Sequence, residues 1–460
     1  MENQYIKIFK TFNIILIMAL LYNISGFISI NFFSQNTILS ISAFIPEGIA
    51  LAGVLIYGYR ILPGIFLGQL ILAQLEWSHF QAAVEIASVN TFEAFVGYQL
   101  FYRLKLNREL KTLKDIIGLI LLSTLILQPI SAIINNYILA YNTLLNIDDI
   151  IHNSLFWWFG NIMGQILFTP LLLLLYRYKD ELDISYIIYA ILTTIIYNYL
   201  IEVYLPIENI SLLLLLTIPL SIYVSTKNIV YGIVVSVTFA LSCMYMTHIG
   251  IGFFTIEQSP IDSTINLNYF ILSHILLVLL IGTIFNEKEE AIQELKSMAH
   301  FDYLTGLPNR HLLRTEIHHA VLMAKDYHQK SAICFIDLDE FKEVNDQYGH
   351  HIGDKTLKKT VSFIRKHLKT EDALLRLGGD EFLLIVNNYK NKDDLDETLN
   401  NILQSMQQPM FIENNEINIS FSIGVAICPD HGTTVQELMN IADNAMYKAK
   451  SIGKNCIYYA

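Results

Sequence analysis

A chain of 460 residues that is 53% hydrophobic is too long for one ordinary domain and too apolar for a soluble enzyme of that size. Its net charge of −12, without a basic stripe, excludes a nucleic-acid-binding surface, so no nucleic acid is expected as a partner. The four cysteines, Cys243, Cys334, Cys428 and Cys456, lack CxxC spacing and read as reduced core residues rather than disulfides or zinc ligands.

Lys and Arg are divided unevenly, 12 in residues 1–290 and 18 in the rest, which predicts a lipid-embedded half followed by a water-soluble one. The opening "KIFKTFNIILIMALLYNISGFISI" has a long apolar run and no small-residue cleavage site, so it reads as a retained first span. Further candidates lie near 39–58, 61–75, 82–102, 116–139, 154–176, 184–204, 208–226, 229–248 and 267–285, about ten in all with the first at 11–31. With the N-terminus inside, all twelve cations fall on one side: Lys7, Lys10, Arg60, the cluster from Arg103 to Lys114, Arg177, Lys179, Lys227 and Lys288. Acids such as Glu76, Asp148 and Asp149 occupy the opposite loops. The one-sided cations place both termini in the cytoplasm of a multi-pass inner (cell) membrane protein, with the bilayer as its partner.

Polar residues stand where span centres belong: Glu47, Glu85, Asn90, Glu93, Gln128, Asn161 and Gln165. Two readings fit them. One is a site for an unknown small ligand or ion at Glu47, Glu85 and Glu93, where acids without intramembrane Lys or Arg favour protonation or a cationic ligand. The other is hydrogen bonding between helices. The stretch "FIPEGIALAGVLIYGYRILPGIFLGQLILA" (44–73) resembles the signature of membrane-associated sensor domains of the MASE type, which implies a sensor over residues 1–285.

Residues 286–300 follow as a signalling helix. Ile292, Leu295 and Ala299 keep one apolar stripe at helical spacing, suited to a contact between two copies. Beyond it, residues 301–460 alternate strand and helix: strands at 331–339, 373–377, 381–387 and 417–427, helices at 340–348, 354–369, 392–408 and 434–450, and a short last strand. That pattern predicts an α+β fold, one sheet with helices against it.

"RLGGDEF" (376–382) lies between two of these strands, and its paired glycines predict a hairpin tip that carries Asp380 and Glu381. "FIDLDEFKEVNDQYGHHIGD" (335–354) ends a buried strand on Asp337 and Asp339, so a second acidic pair can lie beside the first. Clustered carboxylates repel unless a cation holds them, and hard oxygen ligands suit Mg²⁺ bound together with phosphates. A nucleoside triphosphate site is the expectation.

These motifs, with "DYLTGLPNR" (302–310), "FSIGVA" (421–426) and "ADNAMYKAKSIGKN" (442–455), resemble in order those of the GGDEF family of diguanylate cyclases. The resemblance implies a palm-like, nucleotide-cyclase-type fold and condensation of two GTP into cyclic di-GMP and two pyrophosphates by a homodimer. It implies that Asp337, the Leu338 carbonyl and Asp380 hold two Mg²⁺ ions per half-site, Mn²⁺ being an alternative, with Glu381 a further ligand. Asp380 is then also the catalytic position. Asn345 and Asp354 match the guanine readers, His350 belongs to the same loop, and Lys342, Lys450 and Lys454 match the phosphate-side cations. Lys454 stands where Arg is commoner. The family's inhibitory product site, Arg-x-x-Asp, becomes "KTED" here, with Lys369 replacing the Arg and Asp372 kept, and lysine lacks the planar bidentate fork. Two other readings fit parts of the sequence: a degenerate domain that only senses nucleotide, and a transporter regulated by its cytoplasmic domain.

Overall fold

The computed structural model describes residues 2–33, 42–204, 207–251, 253–255, 260–327, 329–413 and 415–460. Residues 39–41 of the second expected span, and the Lys7 side chain, lie outside the described residues. The chain divides into two compact units, Met1–Glu290 and Ala291–Ala460.

The first unit is helical throughout. Its helices are α1 (Glu2–Phe33), α2 (Ile45–Tyr57), α3 (Leu62–Trp77), α4 (Phe80–Arg103), α5 (Leu113–Leu121), α6 (Gln128–Tyr141), α7 (Ile150–Arg177), α8 (Ile184–Tyr204), α9 (Ile207–Lys227), α10 (Ile229–His248) and the greater part of α11 (Pro260–His300), whose residues from Ala291 belong to the second unit. A π-helical turn at Leu122–Leu127 joins α5 and α6 end to end, in keeping with the single span expected at 116–139. Helices lie at each of the ten expected segments, and among the described residues seven stretches are long and apolar enough to cross a membrane. One of the seven runs over Ile45–Trp77, yet its two halves are antiparallel. Met18, Tyr22 and Ser29 of α1 meet Gly53, Glu47 and Ile45 in descending order, whereas Ile15, Tyr22 and Gly26 meet Gly64, Gly68 and Leu72 in ascending order. Gly58, at φ +73°, starts that reversal. The 13 residues of α2 reach only ~20 Å, short of a ~30 Å hydrocarbon core.

Outward-facing side chains are apolar, Phe9, Leu75 and Phe92 among them, as lipid requires. Between helices the contacts are close. A Cβ on Gly164 of α7 would stand 1.9 Å from the Phe44 carbonyl, so only glycine fits there, and the Phe44 amide donates to Gly160 O at 2.9 Å. At one end of the unit Arg108 donates to the Ile56 carbonyl (3.0 Å), and Arg177 reaches Glu109 O (3.0 Å) and Glu290 (2.5 Å). Those contacts collect the basic loops and the last span's exit at a single end.

The second unit is built on a five-stranded sheet of order β2-β3-β1-β6-β7. The strands are β1 (Ser331–Leu338), β2 (Ala373–Gly378), β3 (Glu381–Asn387), β4 (Met410–Ile412), β5 (Asn415–Ile417), β6 (Phe421–Cys428) and β7 (Ile457–Tyr459). Central β1 is antiparallel to β3 and β6, and every residue of it is buried. Its alternation assigns the two faces. Ala332, Cys334 and Ile336 pack with α13 (Phe341–Tyr348), α14 (His350–Arg365) and α15 (Lys392–Met406), while Ile333 and Phe335 pack with α12 (Leu313–Tyr327) and α16 (Val435–Ile452). The expected α+β fold is thus present, with helices on both faces. Helix α12 and the small β4–β5 hairpin add to the elements expected from the sequence. Helix α14 begins at His350 rather than 354, because Gly349 takes φ +82° and turns the chain directly from one helix into the next.

Candidate active site

Strand register brings the two acidic motifs together. Asp337, one residue before the end of β1, pairs across the ladder with Glu381, the first residue of β3. Gly378 and Gly379 adopt φ of +150° and +54°, so the hairpin turns tightly and sets Asp380 next to the end of β1. There the Leu338 amide donates to the Asp380 carbonyl at 3.3 Å. Asp337, Leu338, Asp380 and Glu381 therefore share one end of the central strand pair.

Electrostatics at this end are unbalanced. Burial, with repulsion from Asp380 and Asp339, holds the Asp337 carboxyl above its ordinary range although Lys450 counters it. Burial and then Asp337, Asp380 and Asp443 push Glu381 up as well. The Lys450 ammonium on α16 stands 2.6 Å from Asp337 Oδ1, but no hydrogen bond of sound geometry reaches that buried oxygen. Crowded hard oxygens with an under-satisfied buried atom fit Mg²⁺. No group of three or more His, Cys, Asp or Glu converges to metal-ligating distance among the described residues. A metal here would therefore draw on two carboxylates, the Leu338 carbonyl and phosphate oxygens.

Asp339 is not part of this cluster, contrary to the expected acidic pair. Its carboxylate accepts from Ser422 Oγ (2.8 Å), Ser420 Oγ (2.7 Å) and the Asn455 amide (3.0 Å), which ties β1 to β6 and to the segment after α16. Helix α13 starts just past Asp339 and carries Lys342, exposed, and Asn345. The Asn345 Oδ1 lies over Gly353, where a Cβ would stand 2.0 Å from it, so glycine permits the approach of α14, and exposed Asp354 is the next residue along that helix. His350 is exposed at the first position of α14. Lys454 pairs with Glu340 at 2.7 Å.

Lys369 and Asp372 lie elsewhere, at the start of β2. Both Asp372 oxygens already accept backbone amides, from Lys369 (2.8 Å) and Asn387 (2.9 Å), and the Lys369 ammonium leans on Asp394 at 3.4 Å. In the first unit Glu47 and Glu93 are buried, but Glu85 is only half-buried and its oxygens are taken by Gln81 and Asn142. The structure does not bring Glu85 into their company.

A contact that sequence reasoning missed sits within the quoted motif. Arg376 is 9% exposed and forks onto both oxygens of Asp302 (2.9 and 3.0 Å), while its Nε and Nη2 donate to the Gly379 carbonyl (3.0 and 2.6 Å). Asp302 also accepts from the Thr305 amide and hydroxyl. Asn309, in the same loop, caps the end of α11 by donating to the Ala299 and His300 carbonyls. The signal lay in the two motifs themselves: an Arg beside the glycines and an Asp opening "DYLTG".

A membrane-type helical unit followed by a sheet that presents paired carboxylates at a Gly-Gly hairpin defines the class. The MASE1 family matches residues 13–289, and the diguanylate cyclase GGDEF domain matches residues 299–456. This chain belongs to the MASE1 family and carries a GGDEF domain. Among curated relatives, the bifunctional diguanylate cyclase/cyclic di-GMP phosphodiesterase MucR of Pseudomonas aeruginosa is 42% identical over 165 residues, 36% of this chain and 24% of MucR. The diguanylate cyclase TpbB of the same species is 38% identical over 157 residues, 34% of this chain and 36% of TpbB. The cyclic di-GMP phosphodiesterase PdeR of Escherichia coli is 36% identical over 38% of this chain and 27% of PdeR. The chain thus spans only about a quarter to just over a third of these relatives' lengths. Among solved structures, the GGDEF domain of TpbB is 36% identical, covering 35% of this chain and 94% of that one at a TM-score of 0.34. The GGDEF domain of DgcB from Caulobacter crescentus, in complex with c-di-GMP, is 27% identical, covering 35% and 95% at 0.33.

Proposed function

We propose that this protein is a membrane-bound sensory diguanylate cyclase that condenses two GTP into cyclic di-GMP and two pyrophosphates. The observation that carries the reading is the register of β1 against β3, which sets Asp337 opposite Glu381 with Asp380 in the adjoining turn. A relative named as a phosphodiesterase also matches this domain. The catalytic role therefore rests on these residues and not on the match alone, and the carboxylates being intact argues against a domain that only senses nucleotide.

Asp337, the Leu338 carbonyl and Asp380 would hold Mg²⁺, which supplies charge neutralisation on the phosphates and lowers the pKa of the attacking 3′-hydroxyl. Lys450 would exchange its contact with Asp337 for a phosphate oxygen, and Lys342 and Lys454 flank the same end. Asn345 and Asp354 would read guanine at the α13–α14 corner, a carboxylate accepting from N1–H and N2–H₂. One GTP per protomer leaves each half-site incomplete, so two copies face each other for reciprocal attack.

Asp354→Ala should raise the KM for GTP at least about tenfold with a smaller change in kcat, since it removes base recognition and leaves the metal site. Loss of kcat at unchanged KM would contradict that role. Lys369 and Asp372 form at best a weak product site, because Asp372 is engaged by backbone amides. Lys369→Arg should lower the cyclic di-GMP concentration that halves the rate, and equal, strong inhibition of both proteins would remove that reading. Both termini are assigned to the cytoplasm. Reporter fusions after Lys114 and Lys179 should then read cytoplasmic and one at Asp148 periplasmic, and a cytoplasmic signal at Asp148 would overturn the span order.

A further inference from the structure

In the first unit the buried polar groups gather around two carboxylates. Tyr22 of α1 and Asn90 of α4 both donate to Glu47 Oε1 of α2, each at 3.1 Å. Asn135 of α6 donates to Asn90 Oδ1 at 2.8 Å. One turn along α4, Glu93 Oε1 takes the amide nitrogens of Gln128 (2.6 Å) and Gln165 (3.1 Å), from α6 and α7. Glu47 is 2% exposed, Glu93 7%, Gln128 0% and Gln165 2%.

Several of the groups left over are acceptors, although Asn23 Nδ2 of α1 and Asn161 Nδ2 of α7 are donors left over as well. Glu93 Oε2, Gln128 Oε1, Gln165 Oε1 and Asn135 Oδ1 are buried without a hydrogen-bond partner. Two amide nitrogens on Glu93 Oε1 fix the orientation of both glutamines, so the atoms left free there are oxygens. The ion pairs of this unit among the described residues, Lys111 with Glu109 and Arg177 with Glu290, involve neither Glu47 nor Glu93. A network built only to join helices matches donors to acceptors. Glu47 and Glu93 each have two donors, and the Ser131 hydroxyl is a further one within reach of Glu93, but the side-chain oxygens of Gln128 and Gln165 have none. Buried charge at this depth calls for a counter-charge.

We propose that Glu93 Oε2 and the side-chain oxygens of Gln128 and Gln165 bind a small alkali-metal cation between α4, α6 and α7. One carboxylate and neutral amide oxygens are hard donors whose single negative charge suits a monovalent ion. Glu47, within electrostatic reach of Glu93, adds to the field that holds it. The site gives the sensor unit a ligand class. It rests on the assignment of that unit to the membrane and not on cyclase chemistry, so its test reads binding.

The full chain in lipid nanodiscs is titrated with ²²Na⁺ in choline chloride. Saturable binding is expected, displaced by unlabelled NaCl and not by choline. Glu93→Gln should weaken it at least tenfold and Glu85→Gln should leave it unchanged. In choline, Glu93→Gln should unfold at a temperature no lower than the wild type, since it removes an unpaired charge, and this separates a lost site from a lost fold. No saturable binding, equal binding by Glu93→Gln, or a stability that answers to pH but not to Na⁺ would overturn the proposal, the last because protons would then fill the acceptors.

Discussion

Replacing Asp380 with alanine is expected to lower cyclic di-GMP formation at least ~100-fold, about 2.7 kcal/mol of transition-state stabilisation, while leaving the unfolding temperature unchanged or slightly higher. The backbone does the structural work at this position: the Asp380 carbonyl takes the Leu338 amide whatever side chain follows. The carboxylate itself adds repulsion to Asp337 and Glu381, so its removal relieves strain in the apoprotein. Initial rates and thermal unfolding of the purified variant check both halves. Activity above about a tenth of wild type would exclude Asp380 from the metal site, and a large loss of stability would show that the hairpin depends on its side chain.

Arg376→Ala should strongly destabilise the second unit. It removes four hydrogen bonds at once and leaves the Asp302 carboxylate, 17% exposed, without its counter-charge. Burial works against it, yet Thr305 and Arg376 together hold the Asp302 carboxyl below its ordinary value, and the variant loses the Arg376 share of that support. Breaking such a pair costs about 3 kcal/mol, or on the order of 10 °C for a unit of this size. Turnover should fall further than stability alone explains, because the Gly379 carbonyl next to Asp380 is released. Arg376→Lys should recover only part of either loss, since an ammonium cannot fork onto both partners. A variant with wild-type unfolding temperature and rate would show that this clamp is incidental.

Much of this was readable from residue pattern. Spans at 184–204 and 229–248 and the strand at 381–387 appear with the expected bounds, because uninterrupted apolar runs and β-branched stretches between turn residues leave few alternatives. Helix α12 was missed because it follows a loop motif and its apolar positions, Leu313, Ile317, Ala320 and Ala324, are interleaved with His, Lys and Glu. The antiparallel break inside Ile45–Trp77 depends on one glycine conformation, which hydropathy does not register. At the site, sequence order named Asp337, Asp380 and Glu381, but spacing could not separate Asp337 from Asp339. That distinction comes from Ser420, Ser422 and Asn455, distant in sequence, which occupy one carboxylate and leave the other. The same limit hid the Asp302–Arg376 clamp and grouped Glu85 with Glu47 and Glu93.

Product stoichiometry tests the central claim most directly. The purified full-length chain in lipid nanodiscs, given GTP and Mg²⁺, should release one cyclic di-GMP for every two pyrophosphates, with a rate that rises faster than linearly with protein concentration wherever dimers are dilute. GTP bound without turnover, or hydrolysed to GDP and phosphate with no cyclic product, would contradict it.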